Sequence, residues 1–486
     1  MKPKKFNTVS EFKRISANSV KSRDRSRKSE NPTPRQFDQF LPWLCQQMHI
    51  CPHVAVERIT KEKNISIRNR GYQLSRSKSI FSTIQSALDF TKIPNHSLSL
   101  TTSYSDGYNE NTIVIKSYYN NFNQLIELAI VDCPPSINRK VIQAISLCLP
   151  FHSYLKKFKI NGNGLTESVL YEIGKLLPHS NITDICLDDT YLPEGNYYVL
   201  LDKLNNLQNL SLCKCKINDD VCKKIAEKLH NEMPASNTLM TLDFTSNNIT
   251  NSGARHLGLM LRQNRTLLYL GLADNLLDDV GASHILKPLM VFSLTEDEVY
   301  ELRKRKFRYA AKKLEICKEH EKQLIAQMNS EEDKENNQPV ICRKSIGRSK
   351  HLYIEPNSVN VKELAAKNIM DTFGKFEDVF DEDNVVYRNG HLYSLGNLKL
   401  CYLNLAYNHL SYFSLKKLCE VLKYQTNIKQ ADCRGLLRVV VNGNNIPTHC
   451  ELLNTIESYL VNAVANYATQ ARSRSRVNMS KYCVRK

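Results

Sequence analysis

The sequence predicts an α/β fold, a right-handed solenoid of about eight repeats with a long charged helical insert and disordered basic tails. Residues 239–289 contain two copies of the pattern L-x-x-L-x-L-x-x-N-x-L, which start 28 residues apart. Each copy is followed by Gly-Ala and a helical apolar pattern. Degenerate copies precede and follow this pair. About a hundred residues without the pattern separate the sixth copy from the seventh.

Each position of the pattern has a physical role. The L-x-L residues form a short strand whose alternate side chains point into the core. The Asn side chain turns inward after the strand and satisfies backbone groups that the bend leaves open. The helix then covers the outside. Because one copy cannot bury its own apolar face, it needs neighbours. The pattern is that of a leucine-rich repeat, at the length whose second half is a full helix.

Six further copies of the repeat lie on both sides of this pair; the copy at Leu400 matches nearly every position, and the others are more degenerate. They begin at Leu125, Leu155, Ile182, Leu207, Leu400 and Leu436. The first six copies follow one another at spacings of 25–32 residues. Cys133, Thr190 and Cys215 stand in the Asn position of three copies. Cys213 and Cys215 form a C-x-C pair, but zinc sites in proteins usually combine four ligands. We therefore interpret Cys215 as a core thiol.

These patterns divide the chain into six segments. They are a disordered basic tail (1–35), an N-terminal helix and linker (36–111), repeats one to six (112–292), an insert of charged helix and linker (293–395), repeats seven and eight (396–469) and a basic C-terminal tail (470–486). Apolar residues around Trp43 recur at helical spacing. We expect this helix to cap the open end of the solenoid; docking on a partner is the alternative. Regular structure should begin near Thr112, with parallel strands.

The insert begins with a long charged helix, predicted over Glu296–Met328. Thr295 and Glu298 form a capping box at its start. Its narrow apolar stripe consists of Phe307, Ala310, Leu314, Cys317, Leu324 and Met328. An isolated helix is marginal in water, so either the solenoid or a partner protein should cover the stripe. We favour a docking arm, because Glu321 interrupts the stripe where a purely structural helix would place an apolar residue.

Positive charge is concentrated at the two ends of the chain. The formal net charge is +18, and fourteen of these charges lie in residues 1–35 and 470–486. Such tails attract an acidic filament or another polyanion; solvated disordered ends are the alternative. No apolar run is long enough for a membrane-spanning helix, and the first residues lack the apolar region of a secretory signal. Fifteen Cys without such a signal indicate a reducing, cytoplasmic setting.

Two features resemble known families. The repeat type, its Asn position and the Gly-Ala at the helix start resemble the ribonuclease-inhibitor-like class of leucine-rich repeats. The order LLYLGLADNLLDDVGA, SLTEDEVYELRKRK, a charged insert and YRNGHLYSLGNLKLCYLNLAYNHL is similar to the family of leucine-rich-repeat-containing protein 71, over roughly residues 120–460. This resemblance implies a ciliary or axonemal setting and no enzymatic activity.

Residues that flank each L-x-L core should point into the groove of the solenoid, where a partner binds. Together with the stripe of the insert helix they give the candidate positions Lys157, Lys159, Asp184, Asp188, Asp243, Tyr269, Tyr402, Phe307, Leu314 and Leu324. The three acids are suited to a basic partner segment; an ordinary solvated face is the alternative. The groove has no aromatic ladder and no Arg stripe, so it does not predict sequence-specific nucleic-acid binding.

No catalytic, cofactor-binding or metal-binding motif occurs in the sequence. We therefore predict a non-enzymatic protein–protein interaction scaffold, without a cofactor, in a ciliary, axonemal or cytoskeletal assembly. The alternative is a regulator of a small GTPase, because the same repeat class resembles the Ran GTPase-activating protein. That protein ends in an acidic tail, whereas this chain ends ARSRSRVNMSKYCVRK. A third hypothesis is sequence-independent nucleic-acid binding through the tails alone.

Overall fold

One long sheet organises the protein. The computed structural model describes residues 31–61, 112–131, 136–162, 164–335, 374–428, 434–447 and 449–483. The strands in these ranges are β1 (His53–Thr60), β2 (Thr112–Tyr119), β3 (Leu125–Ile130), β4 (Lys157–Ile160), β5 (Asp184–Cys186), β6 (Asn209–Ser211), β7 (Thr241–Asp243), β8 (Tyr269–Gly271), β9 (Phe292–Ser293), β10 (Val385–Arg388), β11 (His391–Ser394), β12 (Tyr402–Asn404) and β13 (Arg438–Val440). Ten of them form one sheet in the order β1 to β8, then β12 and β13. The remaining three form a small antiparallel sheet.

Helices follow most of the strands. They are α1 (Phe37–Gln47), α2 (Arg139–Cys148), α3 (Glu167–Leu176), α4 (Asp219–Lys228), α5 (Asn251–Gln263), α6 (Asp279–Leu286), α7 (Glu296–Glu335), α8 (Tyr412–Asn427) and α9 (Glu451–Cys483). Between β5 and β6 a 3-10 helix, Tyr197–Leu201, occupies this position. Besides α7, which is described below, six helices begin at a side chain that accepts a backbone N–H of the first turn, a donor that the helix itself leaves open. These caps are Asn138, Thr166, Asn218, Thr250, Asp278 and Ser411.

Strands and helices share one hydrophobic core. The short strands bury their middle residues, such as Phe158 and Leu210, and the helices supply the facing wall, for example with Leu257. The same cluster includes Phe37 of α1 and Ile456 of α9. Each strand–helix unit therefore buries its apolar side against its neighbours. The predicted mixed α/β architecture on a multi-stranded, mostly parallel sheet is confirmed.

A ladder of buried side chains joins successive units just after the strands. The amide of Asn247 donates to the carbonyl oxygen of Leu212 at 2.9 Å. Its Oδ1 accepts the backbone N–H groups of Cys215 and Ile217 at 3.0 and 2.9 Å. The same donation to a carbonyl of the preceding unit is made by Cys215, Asn275, Asn408 and Asn444. The predicted pairing of the Asn side chains with loop backbone is confirmed, and the Cys215 thiol fills the same structural position.

The N-terminal segment forms more structure than predicted. Helix α1 lies over one end of the core, where Phe37 and Leu41 are fully buried, so it caps the sheet as expected. The chain then forms β1, which pairs in parallel with β2. The sheet therefore begins at His53 rather than near Thr112. The sequence did not predict β1, because charged residues interrupt the apolar alternation after HVAV.

Two further predictions are corrected. Strands β2 and β3 are antiparallel, because residues 120–124 join them by a turn too short for the crossover that a parallel pair needs. Helix α9 continues to Cys483, so residues 470–483 are helical where a disordered tail was predicted. A helix extends more easily than it nucleates, and the first half of α9 packs on the core through Ile456. The described residues do not include residues 1–30 of the predicted tail or residues 62–111 of the linker. They also omit Cys133 and Asn163, which stand in the Asn position of the first two copies.

The insert leaves the sheet continuous. Strand β8 pairs in parallel with β12 and sets Leu270 opposite Leu403. The units on either side of the insert are therefore in direct contact. Helix α7 begins with the predicted capping box, in which the backbone N–H of Glu298 donates to Thr295 Oγ1 at 3.2 Å, and it extends past Met328 to Glu335. The hairpin of β10 and β11 beside β9 was not predicted, because its composition is mixed.

Candidate interaction surfaces

Side chains on the polar side of the sheet form two rows. The middle residue of each short strand enters the core, so the two flanking residues lie on the opposite side. In-register pairing aligns these residues from strand to strand. The first row is Glu127, Lys157, Asp184, Asn209, Thr241, Tyr269, Tyr402 and Arg438. The second is Ala129, Lys159, Cys186, Ser211, Asp243, Gly271, Asn404 and Val440.

A cluster of opposite charges lies at the β3 end of the rows. The Glu127 carboxylate lies 2.5 Å from Lys61 Nζ and 3.3 Å from Lys159 Nζ. Burial alone would raise the pKa of Glu127, but the neighbouring lysines outweigh burial and hold that pKa below its usual value. Lys159 is thus part of an internal ion-pair cluster. Lys157, beside it in the first row, is partly exposed.

The three acids that were expected to receive a basic partner are engaged within the sheet. Asp184 accepts Asn209 Nδ2 at 2.6 Å, and Asp243 accepts the Tyr269 hydroxyl at 3.1 Å. Asp188 accepts a backbone N–H of the following unit at 3.0 Å. Asp184 and Asp243 are buried, and burial raises the pKa of Asp243. Of the three, only Asp188 remains partly exposed for contact with another protein.

Two stacked tyrosines lie on β8 and β12, the two paired strands between which the insert occurs in the sequence. The ring centroids of Tyr269 and Tyr402 are 4.7 Å apart with an interplanar angle of 9°. The guanidinium carbon of Arg438 lies 5.4 Å from the Tyr402 centroid. A Cβ atom on Gly271 would lie 2.4 Å from an oxygen of Asp243, so this close packing requires glycine. Both tyrosines are buried, which favours a structural role for them.

Helix α7 is fixed to the body at its base. Arg262 Nε donates to the Glu298 carboxylate at 2.7 Å. Arg305 makes a bidentate pair with Asp378, with distances of 2.6 and 3.1 Å. Leu302, between these two pairs, is buried. Bidentate pairs between guanidinium and carboxylate groups fix orientation as well as distance. The first turns of α7 are therefore held rigidly against α5 and the chain that returns from the insert.

The opposite face of α7 carries an exposed apolar column. Tyr300, Phe307 and Leu314 are 64%, 75% and 56% exposed. Because they are spaced seven residues apart, they lie in one line about 21 Å long at 1.5 Å per residue. A line of large exposed apolar side chains indicates an interaction surface. Phe307 and Leu314 are thus exposed to solvent, as a docking arm requires. The side chain of Leu324 lies outside the described residues.

Two clefts were not predicted from the sequence. One has a volume of about 670 Å³. Its walls include Arg35, Asp38, Arg58, Tyr119 and His152. Two of its charges pair with each other, since Arg58 lies 3.2 Å from Asp38. The other, of about 810 Å³, lies beside the base of α7 and is lined in part by His230, Arg262 and Glu301. Segments distant in the chain build both clefts, so no local pattern reveals them.

No protein-family model matches the chain, and no curated protein is significantly similar to it. Within the described ranges, no three His, Cys, Asp or Glu side chains are grouped so that they could hold a metal ion. Likewise, none of the described helices combines the length and the apolarity that crossing a bilayer requires. The function is therefore inferred from the surfaces themselves.

Proposed function

We propose that the protein is a non-enzymatic protein–protein interaction scaffold whose main docking element is helix α7. The observation that carries this proposal is the exposed column of Tyr300, Phe307 and Leu314 on a helix that is held firmly at its base. Covering apolar surface yields about 25 cal/mol per Å². A partner that covers this column therefore gains binding free energy without disturbing the body.

The sheet serves as the rigid support of this arm. On its polar side, side chains such as Asp184 and Asp243 form hydrogen bonds to side chains of the adjacent strands. Partly exposed groups such as Lys157 and Asp188 provide secondary contacts for a partner. Eight strands, β3 to β8 with β12 and β13, carry the predicted repeat pattern. Together with the Asn ladder they support the assignment of about eight leucine-rich repeats in a right-handed solenoid.

The proposed setting is a ciliary, axonemal or cytoskeletal assembly in the cytoplasm. Two observations support it: the motif order that resembles the family of leucine-rich-repeat-containing protein 71, and the concentration of positive charge at the chain ends. A filament with an acidic surface attracts such ends. Imaging of the tagged full chain in ciliated cells checks this setting, and diffuse fluorescence with none along the axoneme would contradict it.

Affinity purification from ciliated cells tests the scaffold function. The variant Phe307→Asp/Leu314→Asp should lose partners that the wild-type chain retains, at an unchanged melting temperature, because both side chains are exposed. A matched control is Phe122→Asp/Val461→Asp, since these apolar side chains are 81% and 60% exposed elsewhere. The control should retain all partners. An identical set of partners for the arm variant, or a loss of several kcal/mol of stability, would refute the docking role of the column.

The non-enzymatic nature of the scaffold has a separate test. Purified full-length chain is added to a panel of small GTPases, and GTP turnover is measured. We expect no change of rate, because the sequence contains no catalytic motif. Clear acceleration of any GTPase would contradict the proposal in favour of a regulatory role.

A further inference from the structure

We infer that helix α7 pairs as a coiled coil with an acidic helix of a partner protein. This inference rests on the proposed docking function and names the chemistry of the partner. The apolar column and the pattern of charges beside it carry the inference, in the part of α7 between Tyr300 and Lys322.

The column has the spacing of a coiled-coil seam. Tyr300, Phe307 and Leu314 occupy successive a positions of a heptad, and Ala310 and Cys317 occupy the d positions of the second and third heptads. A stripe restricted to a and d is narrower than the apolar face of a helix packed on a globular core. It matches the knobs-into-holes contact of one helix with another. The small d residues of the second and third heptads allow the partner helix to approach closely, whereas the d position of the first heptad is the exposed Arg303.

Lysines flank this seam on both sides. In the same heptads, the e and g positions are Lys304, Lys306, Ala311, Lys313, Lys318 and His320. Residues 300–322 contain nine Lys or Arg and four acids. In a coiled coil the e and g residues lie opposite the g and e residues of the partner and determine its choice. The complementary helix therefore carries Glu or Asp at these positions.

The basic side chains nearest the body are already paired there. Arg305 is bound to Asp378, and Arg308 lies 2.8 Å from Glu232. By contrast, Lys306 and Lys318 are exposed. Lys304 pairs with Glu301 of the same helix at 3.2 Å, with both side chains about half exposed. Such a surface pair contributes little, so exchanging it for a partner carboxylate is nearly neutral.

The same charges disfavour pairing between the α7 helices of two copies of the chain. In a parallel pair, the g position Lys313 of one copy would lie opposite the e position Lys318 of the other. An antiparallel pair would bring g positions against g positions, again with lysines on both sides. Like charges at these positions oppose pairing. The arm therefore recognises a helix of opposite charge.

A membrane surface is disfavoured by the width of the apolar face. Helices that lie on membranes have a broad apolar face with a basic polar face. Here one column of three large side chains is exposed, and Glu315, Glu319 and Glu321 lie among the lysines. Acids at these positions oppose binding to anionic lipid. A protein helix with a narrow apolar seam fits this surface better.

A designed helical peptide tests the inference on the full-length chain. The probe has four heptads, Leu at a and d, and Glu at every e and g position; a second peptide has Lys at e and g. Binding is measured by fluorescence anisotropy at low and high salt. We expect the Glu peptide to bind, more weakly at high salt because surface charges are screened, and the Lys peptide not to bind. Phe307→Asp/Leu314→Asp should abolish binding.

Charge reversal distinguishes the seam from general basicity. Lys306→Glu/Lys318→Glu changes two positions beside the seam and should weaken binding roughly tenfold or more, since it replaces attractive pairs by repulsive ones. The control Lys312→Glu/Lys322→Glu makes the same change at exposed f and b positions, and its affinity should stay within about twofold of wild type. Equal weakening by both variants would overturn the inference, because the attraction would then be unspecific.

Three other outcomes would also overturn the inference. They are failure of the Glu peptide to bind, binding of phosphatidylserine vesicles through Lys306 and Lys318 instead, and self-association of the wild-type chain through the column in sedimentation. These outcomes are distinct from failure of the scaffold function. If the Glu peptide does not bind but the Phe307→Asp/Leu314→Asp variant still loses its cellular partners, the arm docks a partner of different chemistry. If that variant keeps every partner, the docking function itself fails.

Discussion

The carboxylate of Asp279 joins the units on either side of the insert, and its removal should destabilise the whole protein. Asp279 lies in the first turn of α6. It accepts the backbone N–H groups of Ser411 and Ser414 at 2.9 and 3.2 Å, and it also accepts both of their hydroxyls. It therefore caps helix α8 from the neighbouring unit. We predict that Asp279→Ala weakens the contact across the insert.

The size of this effect follows from the bonds that are lost. A hydrogen bond to a charged group contributes about 1.5–3 kcal/mol, and loss of a helix cap costs about 0.5–2 kcal/mol. Water can replace some of these contacts, because Asp279 is only partly buried. We therefore expect Asp279→Ala to lower the free energy of unfolding by about 2–3 kcal/mol.

Chemical denaturation of the full chain measures this change, with two comparison variants. Inside the uninterrupted part of the sheet, Asp219 accepts the corresponding backbone N–H groups of Thr250 and Gly253 at 2.8 and 3.0 Å, together with the Thr250 hydroxyl. Asp219→Ala should therefore cost a similar amount. Asp220 is exposed, and Asp220→Ala should change stability by less than about 0.5 kcal/mol. If Asp279→Ala costs no more than Asp220→Ala, the two sides of the insert are not coupled as described.

Four further predictions concern the same body and its charged ends. Burial alone would raise the pKa of Asp279, but hydrogen bonds from Ser411 and Ser414 outweigh burial and lower it. The stability that Asp279 adds should therefore be present above its unfolded pKa of about 3.9 and be lost as pH falls through the lower folded pKa. The difference in stability between the wild type and Asp279→Ala should accordingly shrink in acid denaturation curves. Asn247→Leu should cost about 1–3 kcal/mol by leaving backbone groups unpaired, and an unchanged melting temperature would contradict the ladder. Replacing residues 310–373 by a short linker should preserve one unfolding transition in calorimetry, because Tyr309 donates to the carbonyl oxygen of Gly374 at 2.8 Å and so closes the base; two transitions would indicate separate domains. A chain trimmed to residues 36–469 should lose most affinity for microtubules at low salt, and retained affinity would indicate a folded basic site.

Local repetition explains why much of the fold was predictable. The L-x-L core and the Asn position recur along the chain, so they indicate strands, inward amides and the contact across the insert. The capping box of Thr295 and Glu298 is equally local. Strand β1 and the hairpin of β10 and β11 lack such a signal, since their pairing depends on segments far away in the sequence. The helical extension of α9 to Cys483 was missed because its charged composition also suits a disordered tail.

The candidate residues were predicted less well for a similar reason. The alternation of a strand correctly placed Asp184, Asp243 and Tyr269 on the polar side of the sheet. It did not reveal that these residues would be buried, or that side chains of adjacent strands would form hydrogen bonds with them. The column of Phe307 and Leu314 was easier, because its seven-residue spacing within one helix fixes its geometry without any long-range contact.

Hydrogen exchange of the partner complex tests the docking role of α7 most directly. The complex recovered from ciliated cells is compared with the isolated full chain by mass spectrometry. The scaffold account predicts that residues 300–322 gain protection in the complex, while the rows of the sheet around Asp184 and Asp243 exchange as before. New protection on these rows, with residues 300–322 unchanged, would contradict it and place the binding surface on the sheet.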